Sequence, residues 1–498
     1  MPGRHSKLTS MGSDKTQIDS RKLPRDGMVL FVMLVVVVTQ QCSPYSPKTH
    51  FDPPIEISPT YSKVAESAEI RGQWWKEFGS PELDTLISQV LKQNLSLRQA
   101  LHRVSQAKAM VDRNYAGKLP DVSGELAVSR AQTVMAVGNL PPQTTVSNQF
   151  GLTVAASYEV DVWQKISSQI DAAQLDVDAS EMDRQALAVT LVGQTVDAYL
   201  TVAEQKQLLD LLHAQITVNK TYQELLEVRF SNGLASMVEV LQQRQQVATL
   251  TARLPTVTSQ LEIAQNQLSI LVGKMPTDTG DINVTTLPTL PDRLAIGVPT
   301  DLLRHRPDLR SAEIRIAAAD HRVAAAVADR FPVLRLTGRT GFSDKELSTF
   351  FESWIWNIGA SIAASIFDGG RRAAEVERAK AQVEELLWGY GQQILVAVRE
   401  VEDALALEMG HRQRFDALTL QRNLANRTME EARLRYVQGL SDYLTVLTAL
   451  RSLQQVEQEM LTTQRQILSA RVQLNRALGG MWIADKDAAS TPPKAEKQ

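Results

Sequence analysis

One thirteen-residue phrase is written twice in this chain. RFSNGLASMVEVL occupies Arg229–Leu241 and RYVQGLSDYLTVL occupies Arg435–Leu447, so Arg, an aromatic residue, Gly-Leu and a closing Val-Leu return 206 residues later. Beyond the first copy, Leu250, Leu254, Val257, Leu261, Ala264, Leu268 and Leu271 alternate steps of four and three. The positions 206 further on are Val456, Met460, Thr463, Ile467, Ala470, Leu474 and Ala477. A heptad seam repeated at a fixed offset means one structural unit used twice, each copy ending in helices that pack along their length. Pro255 interrupts only the first seam, where its missing N–H predicts a bend.

Upstream of each phrase the chain gives a helix few places to stop. From Gln164 to Ser231 only Gly193 breaks the run, and Arg371–Val437 contains only Gly389, Gly391 and Gly410. At 1.5 Å per residue, about 68 helical residues extend roughly 100 Å, several times the width of an ordinary domain. Such helices need neighbours throughout, which predicts coiled-coil packing and leaves a filament-like coiled coil open.

The segments before the long helices have a period of two. Val122, Leu126 and Val128 alternate with polar residues, as do Phe150, Leu152, Val154, Ala156, Tyr158 and Val160. In the second half Leu334 and Leu336 alternate with Arg335, Thr337 and Arg339, and Trp354, Trp356, Ile358, Ala360, Ile362 and Ile366 alternate with small or polar residues. This predicts strands at about 121–131, 149–161, 333–343 and 354–367, with one apolar and one polar face and aromatics near the ends. Strands that cross a bilayer beside a wet lumen have this pattern. Four strands cannot close around a lumen, and lipid does not tolerate an open edge, so several chains must share a barrel. Three would supply twelve strands.

The N-terminus indicates where the chain goes. Arg21, Lys22 and Arg25 precede the apolar run Met28–Val38, which is too short for a stable membrane anchor and reads as a signal peptide, residues 1–41. The single cysteine follows at once in TQQC, which resembles a lipobox with Gln41 where a small residue is usual, and marks Cys42 for lipidation. No later segment reads as apolar enough for a membrane-spanning helix.

A formal charge of −3 with Lys and Arg spread along the chain gives no basic face, so nucleic acid is not a partner. The seven histidines are scattered without ligand spacing and read as solvated surface groups. Neither HExxH, GxSxG, a P-loop nor GxGxxG occurs, so no catalytic, metal or cofactor site is expected and an enzyme is the minority reading.

RGQWWKEFGSPELD (Arg71–Asp84), SYEVDVW (Ser157–Trp163), IGVPTDLLRHRPDLRSAE (Ile296–Glu313), SIFDGGRR (Ser365–Arg372) and LGGMW (Leu478–Trp482) carry a further signal. Together they are similar to the signature stretches of TolC-type outer-membrane efflux channels, in the lipoprotein branch serving resistance-nodulation-division pumps. The likeness spans nearly all of residues 70–482. It implies a mainly helical homotrimer, with a twelve-stranded transmembrane barrel continued by a twelve-helix periplasmic tunnel and girdled by a belt. The chain then divides into an N-terminal equatorial segment (42–80), a first repeat (81–272), a belt linker (273–300), a second repeat (301–478) and a C-terminal tail (479–498).

By that resemblance the protein is a passive duct for small molecules in the outer membrane. Its partners would be an inner-membrane pump, a periplasmic adaptor and outer-membrane lipid. A type I protein-secretion channel and a periplasmic coiled-coil adaptor are the alternatives.

The repeated phrases become helix-hairpin tips at 230–237 and 436–443. Gly233 and Gly439 supply left-handed caps, and Ser236 and Asp442 cap the returning helices. The family implies that Gly233, Leu234, Ser236, Gly439, Leu440 and Ser441 face the adaptor. It also implies a bond between Glu239 and Tyr436 holding the mouth shut. Where relatives carry aspartate rings this chain has Thr445 and Thr448, leaving Asp442 and Leu444 as constriction candidates. At the strand-to-helix junctions, Asp161 and Asp368 are expected to favour helix starts, Gly369 and Gly370 to permit the sharp change of direction, and Asp308 to lie in the first turn after Pro307.

Overall fold

The computed structural model describes residues 43–62, 73–135, 142–276, 284, 286–289 and 298–480. Its elements run α1 (Pro81–Gln93), α2 (Leu95–Tyr115), β1 (Asp121–Met135), β2 (Gln143–Val160), α3 (Lys165–Ser231), α4 (Met237–Val272), α5 (Pro307–Ala328), β3 (Val333–Asp344), β4 (Trp354–Ala363), α6 (Arg371–Val437) and α7 (Tyr443–Ala477). A one-turn helix, Leu302–His305, precedes α5. The 206-residue offset reappears in three dimensions, since α3 and α6 are each 67 residues long and their ends correspond residue for residue.

The strands form one antiparallel sheet ordered β1-β2-β3-β4. Asp121 pairs with Ser157, Tyr158 with Leu336 and Val333 with Ala363, so both repeats contribute a hairpin to a continuous surface. Among the described residues the outer edges of β1 and β4 have no strand partner. β1 runs further than its alternation suggested, to Met135, and β2 starts earlier, at Gln143, because ladder pairing carries them past the apolar residues. β4 stops at Ala363, short of the expected 367, and Ile366 and Phe367 stand outside the sheet almost fully exposed.

Each strand-to-helix junction turns on a left-handed residue. In the second repeat it is Gly370, with φ 85°, and Asp368 accepts from its N–H at 3.0 Å. In the first repeat Gln164 occupies the matching position with φ 59°, the only non-glycine with positive φ among the described residues. Asp161 holds this turn by accepting from the N–H groups of Ile166 and Ser167 at 2.9 and 2.8 Å. Pro307 is the first residue of α5 with Asp308 in its first turn, while the preceding Arg306 does more than end a loop. It is buried and donates to Asp308, Glu400 and the carbonyl of Ala477, joining the start of α5, the middle of α6 and the end of α7.

The three largest buried clusters among the described residues hold the helices together. Trp74, Trp75, Phe78, Leu83 and Ile87 pack with Val284 and Leu287 against the middle of α3 and the end of α7. Residues 43–62 form a strap along α5 and α6, burying Phe51 and Tyr61. Tyr45 and the Lys48 N–H bind Asp320 at 2.6 and 2.7 Å, and both Glu402 oxygens are taken by Ser62. The third cluster lies at the hairpin tips. α4 continues through Pro255 as one helix, although Pro255 gives no N–H to the Thr251 carbonyl.

Two sequence expectations need correction. α3 contains an 18-residue window apolar enough to cross a membrane, and 61% of it is buried inside the protein. The histidines are not uniformly solvated either. The His321 side chain is largely covered beside Asp171 and His305 Nδ1 is buried, whereas His50 stays exposed while it pairs with Glu313. Packing against helices that are distant in sequence created these environments.

Candidate functional site: the hairpin mouth

The two tips are built alike to the hydrogen bond. Leu234 N–H donates to the Arg229 carbonyl at 2.8 Å and Gly233 N–H to that of Phe230 at 2.9 Å. In the second copy Leu440 donates to Arg435 at 2.9 Å and Gly439 to Tyr436 at 3.0 Å. This pattern ends a helix around a left-handed residue, and Gly233 and Gly439 have φ of 76° and 74°. Both glycines lie in open space, so the backbone angle alone demands them. The helix ends at Gly273 and Gly479 close with the same pair of bonds, so the duplication governs both ends of each returning helix.

The returning helices start on the expected caps. Ser236 Oγ accepts from Glu239 N–H at 3.3 Å while Glu239 Oε2 accepts from Ser236 N–H at 2.8 Å, a reciprocal capping box. Asp442 accepts from the N–H and hydroxyl of Thr445 at 3.1 and 2.8 Å, and these bonds hold its carboxyl below the usual carboxylate range. Thr448 donates to the Leu444 carbonyl. Leu234, Leu440 and Leu444 are exposed, and the Ser441 hydroxyl is buried without a partner.

The bond expected between Glu239 and Tyr436 is not made. The Glu239 carboxylate is engaged by its own helix start, and the Tyr436 hydroxyl is buried with no hydrogen-bond partner. Burial first, and the nearby Glu239 charge second, raise the pKa of Tyr436, while the Arg229 guanidinium lies 4.9 Å over its ring. The carboxylate that was to accept from Tyr436 accepts instead from the Ser236 N–H.

Tyr443 instead supplies a polar link between the hairpins. Its hydroxyl donates to Gln243 Oε1 at 2.7 Å, and its ring meets that of Tyr436 edge-on at 5.4 Å. Around this pair Leu226, Val240, Met429, Val446 and Leu450 complete an apolar tip cluster shared by all four helices. Gln243 and Tyr443 were missed as site residues. The signal was a glutamine in a heptad of apolar residues opposite a tyrosine, which cannot be paired without knowing how the hairpins align. Between α3 and α6, with Tyr443 and Val446 as its floor, lies a cleft of about 590 Å³.

Cys42 lies outside the described residues, as do residues 277–283, 285 and 290–297 of the linker and 481–498 of the tail. Among the described residues no group of His, Cys, Asp and Glu could hold a metal ion.

The sequence profile of the outer membrane efflux protein family matches residues 86–274 and 298–480, one match for each repeat. The pyoverdine export outer membrane protein OpmQ of Pseudomonas putida is 34% identical over 443 residues, covering 86% of this chain and 92% of that protein. The toluene efflux pump outer membrane protein TtgI of the same species is 29% identical, covering 82% and 87%. The solved structure of the outer-membrane channel OprN superposes with a TM-score of 0.80 at 28% identity, covering 88% of this chain and 98% of that one.

Proposed function

Because the chain belongs to the outer membrane efflux protein family, we propose that three copies close one barrel and one periplasmic tunnel, through which an inner-membrane pump expels small molecules. The channel is an outer-membrane efflux component spanning into the periplasm. The observation that carries the trimer is the four-stranded sheet, whose β1 and β4 edges have no partner among the described residues. β1 would extend about 50 Å at 3.4 Å per residue, enough to cross a bilayer at a tilt. Its free edge must then be paired by another copy.

The tips and the α3/α6 cleft are the surface for a periplasmic adaptor, with Leu234 and Leu440 as exposed apolar contacts and Ser236 and Ser441 beside them. Cargo is not set by a binding site in the channel. The relatives' names cover a siderophore and a solvent, pyoverdine and toluene, so this chain serves a small-molecule pump whose own chemistry selects the cargo.

The strap supports an acyl anchor at Cys42. It begins beside Asp320, two turns or about 12 Å before α5 leads into the barrel, and runs down to Glu402. A diacylated cysteine next to residue 43 would be close enough to the barrel to insert in the inner leaflet.

Light scattering of the detergent-extracted protein should give three chains per particle, and a stable folded monomer would overturn the shared barrel. Intact mass spectrometry should find a lipid-modified chain beginning at Cys42. An unmodified N-terminus elsewhere would remove the anchor and leave the channel reading intact.

A further inference from the structure

The two hairpins of the barrel sheet end at different heights. Both turns lie at the end of the sheet away from the long helices. β3 pairs with β2 only as far as Phe150, whereas β1 stays paired with β2 for seven residues more, from Ser129 opposite Gln149 to Met135 opposite Gln143. At 3.4 Å per residue this two-stranded ribbon extends about 24 Å beyond the β3–β4 turn. That lower turn is closed on itself, because the Asp344 carboxylate accepts from the hydroxyls of Thr349 and Ser353. The ribbon is open. Along Gln143–Gln149 the side of β2 turned away from β1 has no strand partner among the described residues, and a two-stranded hairpin standing alone is marginal in water.

The pairing also fixes which face each side chain joins. Leu126 on β1, Leu152 on β2, Phe342 on β3 and Trp354 on β4 lie in one row on one face, the apolar face that meets lipid. Upward along that face Val128 is followed by Arg130, opposite Asn148. Arg130 is exposed, and its side chain has no ion pair or hydrogen bond among the described residues. Two strands away, on the same face, Phe342 meets Phe351 at 5.5 Å and Phe351 meets Phe350 at 5.1 Å, an aromatic plate at the edge of the apolar belt. The ribbon itself changes chemistry. Of its fourteen side chains nine are hydroxyls or amides, and Arg130 is the only charged one.

We propose that this ribbon is the docking surface for a phosphorylated glycolipid of the outer leaflet. Arg130 takes the phosphate, the aromatic plate meets the acyl chains, and the hydroxyl and amide side chains take the sugars together with the open β2 edge. The inference rests on the channel reading above, which puts this face in lipid. A guanidinium matches phosphate bidentately, and Arg130 stands where the apolar belt stops, the depth of a headgroup phosphate. Hydroxyls and amides both donate and accept, as a sugar does, so a hydroxyl-rich partner satisfies them and the unpaired edge without bringing further charge. A phospholipid headgroup is too short to follow 24 Å of ribbon.

Trimers of the full chain, verified by light scattering and stripped of lipid by detergent exchange, test this with short-chain lipopolysaccharide as the probe. Native mass spectrometry should count up to three bound per trimer, and amide exchange over residues 143–149 should slow severalfold on binding. Phosphatidylethanolamine and inorganic phosphate should leave that exchange unchanged. Arg130→Gln should weaken binding about tenfold through the loss of a charge-assisted contact. Arg339→Gln alters an arginine on the opposite, lumenal face of β3 and should bind as wild type.

The proposal is overturned if Arg130→Gln binds as wild type, or if phosphatidylethanolamine or phosphate alone protects the ribbon. Slow exchange already present in the lipid-free trimer would also overturn it, by showing that the ribbons hold one another. Should Arg130→Gln fail to assemble, dephosphorylated lipopolysaccharide added to wild type decides the same point, and binding as tight as that of the intact lipid counts against the phosphate contact. A conducting trimer that takes no lipopolysaccharide refutes this inference alone, whereas a stable folded monomer refutes the channel reading.

Discussion

Pro54 packs so tightly on Gly391 that a Cβ added at Gly391 would stand 2.8 Å from Pro54 Cγ. The sequence offers Gly389 and Gly391 as equivalent weak points in a long helix, yet a Cβ on Gly389 would meet nothing within 4 Å. Gly391 is there to let the strap approach. Gly391→Val should therefore release residues 43–62 to limited proteolysis while trimers persist. Gly389→Ala should stabilise α6 by about 1 kcal/mol through helix propensity. Thermal melts and a protease time course of the two variants check the contrast, and a strap equally protected in Gly391→Val would refute it.

Gln164 does the work of a glycine. The left-handed region costs an ordinary residue about 1–2 kcal/mol, and the second repeat places Gly370 at the corresponding junction. Gln164→Gly should raise stability by about 0.5–1 kcal/mol, the strain relieved less the entropy that glycine adds to the unfolded chain. Chemical denaturation of the solubilised trimer would show it. A loss of stability would mean the Gln164 side chain makes a contact that outweighs the backbone strain.

Asp197 lies at the α3/α7 seam, where burial raises its pKa against the opposing Ser469 hydrogen bond and the charges of Arg465 and Arg476. Its folded pKa is above the unfolded value of about 3.9, so the stability it contributes is fully present below that pH and is lost as pH rises through the folded value. Asp197→Asn keeps an acceptor for the Ser469 hydroxyl without the buried charge. The variant should melt higher than wild type at neutral pH, and the advantage should disappear under acid conditions. An advantage constant across pH would exclude titration of this group as the cause.

Glu239 should act on its own helix and not on the gate. Glu239→Ala removes half of the capping box with Ser236 and should weaken the start of α4 by about 1 kcal/mol. Faster amide exchange confined to residues 236–241 is the expected reading. Exchange spreading equally into α6 around Tyr436 would instead restore the inter-hairpin bond.

The sequence by itself determined everything that follows from period and local chemistry. The extents of α3 and α6 to within one residue, the glycine-closed tips, the caps at Ser236 and Asp442 and the strand alternation were all legible, because each depends on neighbours within about five positions, and the 206-residue repeat was legible as their recurrence. The open-edged sheet was legible as an incomplete barrel for the same reason.

Only the tertiary structure decided which side chains meet. Glu239 and Tyr436 are both present, yet the capping box claims one and leaves the other's hydroxyl alone, while Tyr443 reaches Gln243 exactly 200 residues away. Glu408 and Arg471, 63 positions apart in the sequence, form a buried pair at 2.7 Å. Arg306 reads as part of a helix start and ties three helices together. Helical periodicity fixes the face a residue occupies. The register and rotation of one long helix against another are set by the sum of many weak contacts along the seam, and no short stretch of sequence contains that sum.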